Sequence, residues 1–326
     1  MKAVDELRVD VLMDNTTDML STRPTNVLSE MQVLMEAGMT EASGEAGCAA
    51  LHGLGLVLTV TIDGTTRKIL FDAGPDGYGI RRNGTAMGLE FGDIEAMALS
   101  HGHYDHSNGL LTALELIRES NGDQEVPFYV HPGAFVHRAL RTMGGAILRV
   151  QDVPSIESFE EVGAKVILST ESEELCDGAF FLSGEIPRTS FEDGYRNHLR
   201  LQENGEWAPD PLVIDERFVV VHVRRKGLVV FTGCSHAGII NILSEVESLF
   251  PNIPLYGVIG GLHLSAVNED RIPMTVNAMR QFDPKMLIVG HCTGWRAVHA
   301  VVEEFGEAIV DPLSVGSRHT IRAADA

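Results

Sequence analysis

Apolar positions along the chain gather in short unbroken runs, and most runs stop at a glycine, an aspartate or a histidine. Runs of about four to eight apolar residues bounded by turn residues read as strands buried on both faces. Leu7 to Met13, Leu54 to Ile62, Thr66 to Phe71, Ile94 to Leu99 and Phe128 to Val130 read as strands, some interrupted by a charged residue, with Asp63-Gly64 as the turn joining the second to the third. Arg217 to Arg224 and Leu228 to Thr232 form a hairpin through Arg225-Lys226-Gly227, and Leu255 to Ile259 and Met286 to Val289 are further strands. Between strands the spacing turns helical: from Ser107 or Asn108 through Ile117, over Ala237 to Phe250 with Ile239, Ile240, Leu243, Val246 and Leu249 apolar, and over Met274 to Phe282. Strands alternating with helices predict a layered α/β architecture. The stretch 138–211 is patterned weakly, with Lys165 to Leu168 its clearest strand. It is expected as an insertion within one domain covering 1–326, because no low-complexity linker sets it apart.

Composition narrows the function classes. Of the 326 residues, 25 are basic and 46 acidic, so 25 − 46 leaves −21. So negative a surface repels nucleic-acid phosphates and anionic lipid heads, which predicts neither as a partner. A small-molecule substrate is expected instead, and a homodimer is the base-rate assembly. The first ten residues are charged and lack a leader-like apolar core, and no run reaches the ~20 apolar residues of a membrane span. Cys48, Cys176, Cys234 and Cys292 form no close pair in sequence, which predicts a reducing, cytoplasmic setting.

The chemistry concentrates in Leu99-Ser-His-Gly-His-Tyr-Asp-His106, where three histidines and a carboxylate fall within six residues directly after a strand. A strand end followed by a turn lets such side chains converge, and Gly102 permits backbone that a side chain would obstruct. Imidazole and carboxylate are the usual ligands of Zn²⁺, Mn²⁺ or Fe²⁺. Burying so many polar rings together is costly unless they bind a charge.

His101-x-His103-x-Asp105-His106 resembles the signature of the metallo-β-lactamase superfamily, whose fold has four layers, αββα. The resemblance implies that His101 and His103 bind one metal and that Asp105 and His106 bind a second. Ile69-Leu-Phe-Asp72-Ala-Gly74 is similar to the family's earlier motif, which makes Asp72 a brace for the metal loop rather than a ligand. Val229-Val-Phe-Thr-Gly233-Cys234 resembles the strand that ends in the metal-bridging aspartate, but Cys234 stands in its place, either as a thiolate ligand or as a spectator thiol. Met286-Leu-Ile-Val-Gly290-His291 resembles the strand ending in the last histidine ligand. Gly184 to Arg188, where a further histidine ligand is expected, has none, and His236 is expected to replace it. His263, in Gly260-Gly-Leu-His263, is expected in the pocket as a catalytic group or a ligand. Gly233-Cys-Ser-His-Ala-Gly-Ile, Val258-Ile-Gly-Gly-Leu-His-Leu and His291-Cys-Thr-Gly294 together resemble the dihydropteroate-synthase-like branch, which includes a methanopterin-synthesis enzyme. Leu51-His-Gly-Leu-Gly55 departs from that branch's usual Glu-His-Gly-Leu-Ser. Among the remaining residues, His137, His198, His299 and His319 read as ordinary polar positions, and Trp295 as a pocket wall or a core residue.

These residues imply one or two zinc ions, with manganese or iron as alternatives, and a hydroxide formed at neutral pH that attacks an ester, lactone, thioester or phosphoester. Asp105 holds the second metal and orients the nucleophile. The branch resemblance implies a pterin-type transferase as an alternative. Cys234 in place of the bridging aspartate motivates a third reading, a non-catalytic metal-binding or sensor protein. A drug-hydrolysing β-lactamase, a flavodiiron oxidoreductase (a glutamate would stand at His103) and an RNase Z-like nuclease fit poorly.

Overall fold

The computed structural model describes residues 1–142 and 144–324. Two eight-stranded sheets face one another. The first runs, in spatial order, Ala164–Leu168, Val126–Val130, Ala96–Ala98, Thr65–Phe71, Gly55–Ile62, Glu6–Met13, Arg318–Arg322 and Val27–Leu28. The second runs Glu173–Leu175, Phe180–Leu182, Val219–Val223, Gly227–Thr232, Leu255–Gly261, Met286–Gly290 and Val310–Pro312, with Ala3–Val4 paired beside Val219–Val223.

Strand periodicity explains the layering. Successive side chains point to opposite faces of a sheet. Ile69 and Phe71 of the first sheet meet Val229 and Phe231 of the second in the core between them. Their neighbours point outward. Leu70 and Met97 pack under Leu110, Leu114 and Ile117 of the helix Leu110–Asn121. Val230 and Val258 pack under Ile239, Leu243 and Val246 of the helix Ile239–Leu249. Helix, sheet, sheet, helix is the expected αββα order.

The stretch expected as an insertion divides in two. Its strands Ala164–Leu168, Glu173–Leu175 and Phe180–Leu182 belong to the main sheets. Arg138–Arg141, Ile147–Arg149, His198–Leu201 and Trp207–Pro209 form a separate antiparallel sheet of four strands. Among the described residues, no helix is long and apolar enough to cross a membrane.

Candidate metal centre

Five strands deliver the candidate residues from their C-terminal ends: Thr65–Phe71 leads to Asp72, Ala96–Ala98 to the 100–106 loop, Gly227–Thr232 to Cys234 and His236, Leu255–Gly261 to His263, and Met286–Gly290 to His291. Sheet pairing fixes the strand ends, so residues far apart in sequence meet at one edge. Asp72, Ser235, His263 and His291 hold left-handed backbone with φ of 59°, 62°, 40° and 50°. Non-glycine residues rarely adopt it, and such conformations persist where the surroundings over-determine them.

Two sets of donor atoms result. In the first, His101 Nε2 lies 2.9 Å from His103 Nδ1, which lies 3.2 Å from His236 Nε2. In the second, His106 Nε2 lies 3.1 Å from His291 Nε2, with Asp105 Oδ2 at 3.9 Å and 3.5 Å from the two. Cys234 Sγ stands 3.2 Å from His106 Nε2 and 3.3 Å from His291 Nε2. All seven residues are buried. His263 is half-buried and His52 exposed, with His52 Nε2 3.5 Å from Asp105 Oδ2.

The hydrogen bonds fix which nitrogens carry protons, because a carboxylate or carbonyl can only accept. Asp72 accepts from the Ser100 N–H and hydroxyl at 2.7 Å each, and from His106 Nδ1–H at 2.6 Å. With its own proton spent on Asp72, Ser100 Oγ accepts from His101 Nδ1–H at 2.9 Å. His198 Nδ1–H donates to the Asp210 carbonyl at 3.0 Å, so His198 Nε2 accepts from His103 Nε2–H at 2.8 Å. His101 Nε2, His103 Nδ1 and His106 Nε2 are therefore left bare and aimed inward. Bare lone pairs facing one another at such separations repel unless a cation sits among them. Ligand atoms around a tetrahedral Zn²⁺ with bonds of about 2.0–2.3 Å stand about 3.3–3.8 Å apart, close to the spacings here. The donors fit a divalent metal.

The electrostatics agree. Burial, and then the neighbouring imidazoles, hold His101, His103, His236 and His291 well below the ordinary histidine value, in the neutral form a metal requires. His106 is the exception: burial opposes its charge, yet Asp72 and Asp105 raise it to about 9, so near neutral pH its Nε2 is bare only when a cation takes the place of its second proton.

Other residues brace the ligand loops. Asp14 Oδ1 accepts from the His291 N–H at 3.0 Å, Asp215 Oδ2 from the Gly102 N–H at 2.7 Å, and Glu216 Oε1 from the His236 N–H at 2.7 Å. Burial pushes Asp14 and Glu216 up to about 7, against the hydrogen bonds they accept. Arg138 ties Asp215 to the Gly102 carbonyl. Sequence reasoning assigned none of these a role. A carboxylate at the end of an apolar strand (Asp14) or a carboxylate pair just before one (Asp215-Glu216) was the available signal. His198 corrects the sequence reading outright: it is buried against His103 rather than an ordinary polar position. His319 is buried too, with Ser317 Oγ 3.2 Å from its Nε2. Trp295 is neither wall nor core, being 79% exposed.

Over the donors lies a pocket of about 150 Å³. Leu140, Val150 and Tyr195 wall it from the 138–211 stretch, and Tyr104, His52 and His263 complete its rim. Tyr195 packs edge-on against His263, ring centres 4.5 Å apart.

The family model described as a β-lactamase superfamily domain matches residues 67–166. The 7,8-dihydropterin-6-methyl-4-(β-D-ribofuranosyl)-aminobenzene-5'-phosphate synthase of Methanocaldococcus jannaschii is 30% identical over 259 residues, covering 78% of this chain and 85% of that protein. An uncharacterized protein of the same organism is 27% identical over 250 residues, covering 76% and 86%. The crystal structure of a metal-dependent hydrolase of the β-lactamase superfamily superposes with a TM-score of 0.69 at 24% identity, over 98% of this chain and all of that one. With the fold shared along nearly its whole length, and a named relative matched over most of both sequences, the chain belongs to the metallo-β-lactamase superfamily, in the branch of that dihydropterin synthase.

Proposed function

We propose that this chain is a metal-dependent hydrolase of small carbonyl substrates: esters, lactones or thioesters. The observation that carries the reading is the pair of inward-facing donor sets at the floor of a pocket walled by Leu140, Val150 and Tyr195. His101, His103 and His236 would hold one ion, and Asp105, His106 and His291 a second. A divalent metal held there would supply the chemistry of a water activated at neutral pH and of a Lewis acid toward a carbonyl.

The chain's own residues do the rest. Asp72, Asp14, Asp215 and Glu216 keep the donor loops in place before substrate arrives. Leu140, Val150 and Tyr195 exclude bulk water and orient the acyl portion. A ring nitrogen of His263, at the pocket rim, moves a proton to the leaving group, and His52 Nε2, open to solvent, passes protons onward. Among the described lining residues none is lysine or arginine, which favours carbonyl substrates over phosphoesters. The relative's name supports a second reading, in which an arylamine nitrogen bonds to the methylene carbon of a dihydropterin and pyrophosphate leaves, since the aromatic rim also suits a flat ring.

The test is turnover by zinc-loaded protein on panels of aryl esters, lactones, thioesters, phosphoesters and a dihydropterin pyrophosphate with an arylamine. Hydrolysis of a carbonyl class, lost in His263→Ala and Asp105→Ala, is expected. Arylamine transfer without carbonyl hydrolysis would replace the first reading with the second, and metal binding without turnover on any class would overturn both.

A further inference from the structure

The wall that the small antiparallel sheet turns toward the donors runs on past the pocket. Residues directly opposite in an antiparallel pair share a face, as do alternate residues along a strand. Leu140 stands opposite His198 on one side and opposite Leu148 on the other. Val150 follows Leu148 by two positions, and its N–H donates to the Arg138 carbonyl at 2.9 Å, which continues the pairing. His198, Leu140, Leu148 and Val150 therefore share one face. That face looks onto the donors, because His198 bonds His103 while Leu140 and Val150 line the pocket. Leu148 is its outermost member. It lies on the edge strand, two strand spacings or about 10 Å from His198, and is 60% exposed.

A lone exposed leucine is ordinary on a protein surface. Leu148 is not alone: it extends the apolar wall of the pocket directly across from Leu140. Edge strands are commonly protected from stray pairing by charged side chains. Here those charges, Arg141 and Arg149, share the opposite face with Ile147. Of the two cations in the row next to Leu140, Arg138 turns inward to the Gly102 carbonyl and Asp215, and Arg200 lies on the side away from Leu148. The chain holds 46 acidic residues, yet none falls within 126–151, so the two strands present no carboxylate to a group lying along them.

We infer that Leu148 is a specificity-determining residue: with Leu140 and Val150 it forms an apolar strip that receives a straight acyl chain running outward from the carbonyl under attack. This rests on reading the site as a carbonyl hydrolase, and it narrows the substrates to those whose unbranched alkyl chain is long enough to leave the pocket. Chain and leucine each lose water-exposed apolar surface when they meet. A contact made equally with substrate and transition state acts on KM rather than kcat.

The experiment measures kcat and KM of zinc-loaded, full-length protein on nitrophenyl esters with acyl chains from acetyl to decanoyl, and on thioesters and lactones of matching length, each below its micellar concentration. In wild type, kcat/KM is expected to rise about two- to fourfold per added methylene through the middle of a series, by way of KM. Leu148→Ser is expected to flatten that rise. Ile147→Ser, on the other face of the same strand, is expected to keep it, which separates loss of the strip from damage to the edge strand. A wild-type profile that is flat or falls with chain length, a rise that survives Leu148→Ser, or one lost equally in both variants would each overturn the inference and leave the hydrolase reading standing. No hydrolysis of any of the three classes by wild type would overturn that reading and the inference with it.

Discussion

At the scale of single residues, the site is an arrangement of protons. Each histidine of the 101–106 loop has one nitrogen occupied by a fixed acceptor, and the other is left bare by that choice. His198 shows the dependence best, because its own tautomer is set by the Asp210 carbonyl and it sets that of His103 in turn. His198→Ala removes the acceptor for His103 Nε2–H, and zinc affinity measured by chelator competition should fall about 10–100-fold. His198→Gln, whose amide can donate to Asp210 and accept from His103, should recover most of the loss; equal weakening by both variants would assign His198 a packing role. Asp72→Ala leaves the Ser100 amide and hydroxyl and His106 without their acceptor in a buried place, and should cost about 3–5 kcal/mol in denaturant unfolding. His101, His103, Asp105 and His106 were legible because they crowd one loop. His198 was not, because it meets His103 only through a sheet whose strands carry little pattern.

At the scale of elements, strands that were apolar on both faces could be read directly, and so could the helix over Ile239–Leu249. The helix Gly77–Ala86 could not, because Gly77, Gly79 and Gly84 obscure its period. Close packing demands all three: a Cβ on Gly77 would meet Thr112 Oγ1 at 2.0 Å, one on Gly79 would meet Met13 Cε at 2.3 Å, and one on Gly84 would meet the Phe91 ring at 2.4 Å. Gly84→Ala should therefore destabilise by about 1–3 kcal/mol by thermal or denaturant unfolding, and an unchanged midpoint would show that Phe91 moves aside freely. The four-stranded sheet over 138–209 escaped sequence reading for the opposite reason. Ile147–Arg149 is exposed throughout, so no buried face imposes a period on it. That sheet supplies Leu140 to the pocket and His198 to the donors. Truncating its wall with Leu140→Ala should raise KM about tenfold with kcat changed less, as expected when an apolar contact serves binding alone.

At the scale of the whole molecule, burying so many imidazoles makes the metal-free fold sensitive to acid. His101, His103, His236 and His291 are held well below 6.5, and burial brings His319 to about 3. Below pH 6.5 the unfolded chain takes up protons at these five positions and the folded chain does not, so stability falls as pH drops through that value. Asp14 and Glu216, raised to about 7, work the other way, since the folded chain takes up their protons first and loses that advantage only as pH rises toward 7. His106, raised to about 9, contributes stability in full below pH 6.5 and loses it as pH rises through about 9. The buried histidines, held furthest from their ordinary value, set the sign between pH 6.5 and about 5: the melting temperature of chelator-treated protein should drop, and a flat or rising profile would contradict the buried neutral histidines. The central claim, that the facing donor sets hold metal, is tested most directly by elemental mass spectrometry of protein purified without added metal, as wild type and as Asp105→Ala. The account predicts about two ions per wild-type chain, falling toward one in the variant. A wild-type protein that carries none, and takes up none on titration with zinc, would contradict it.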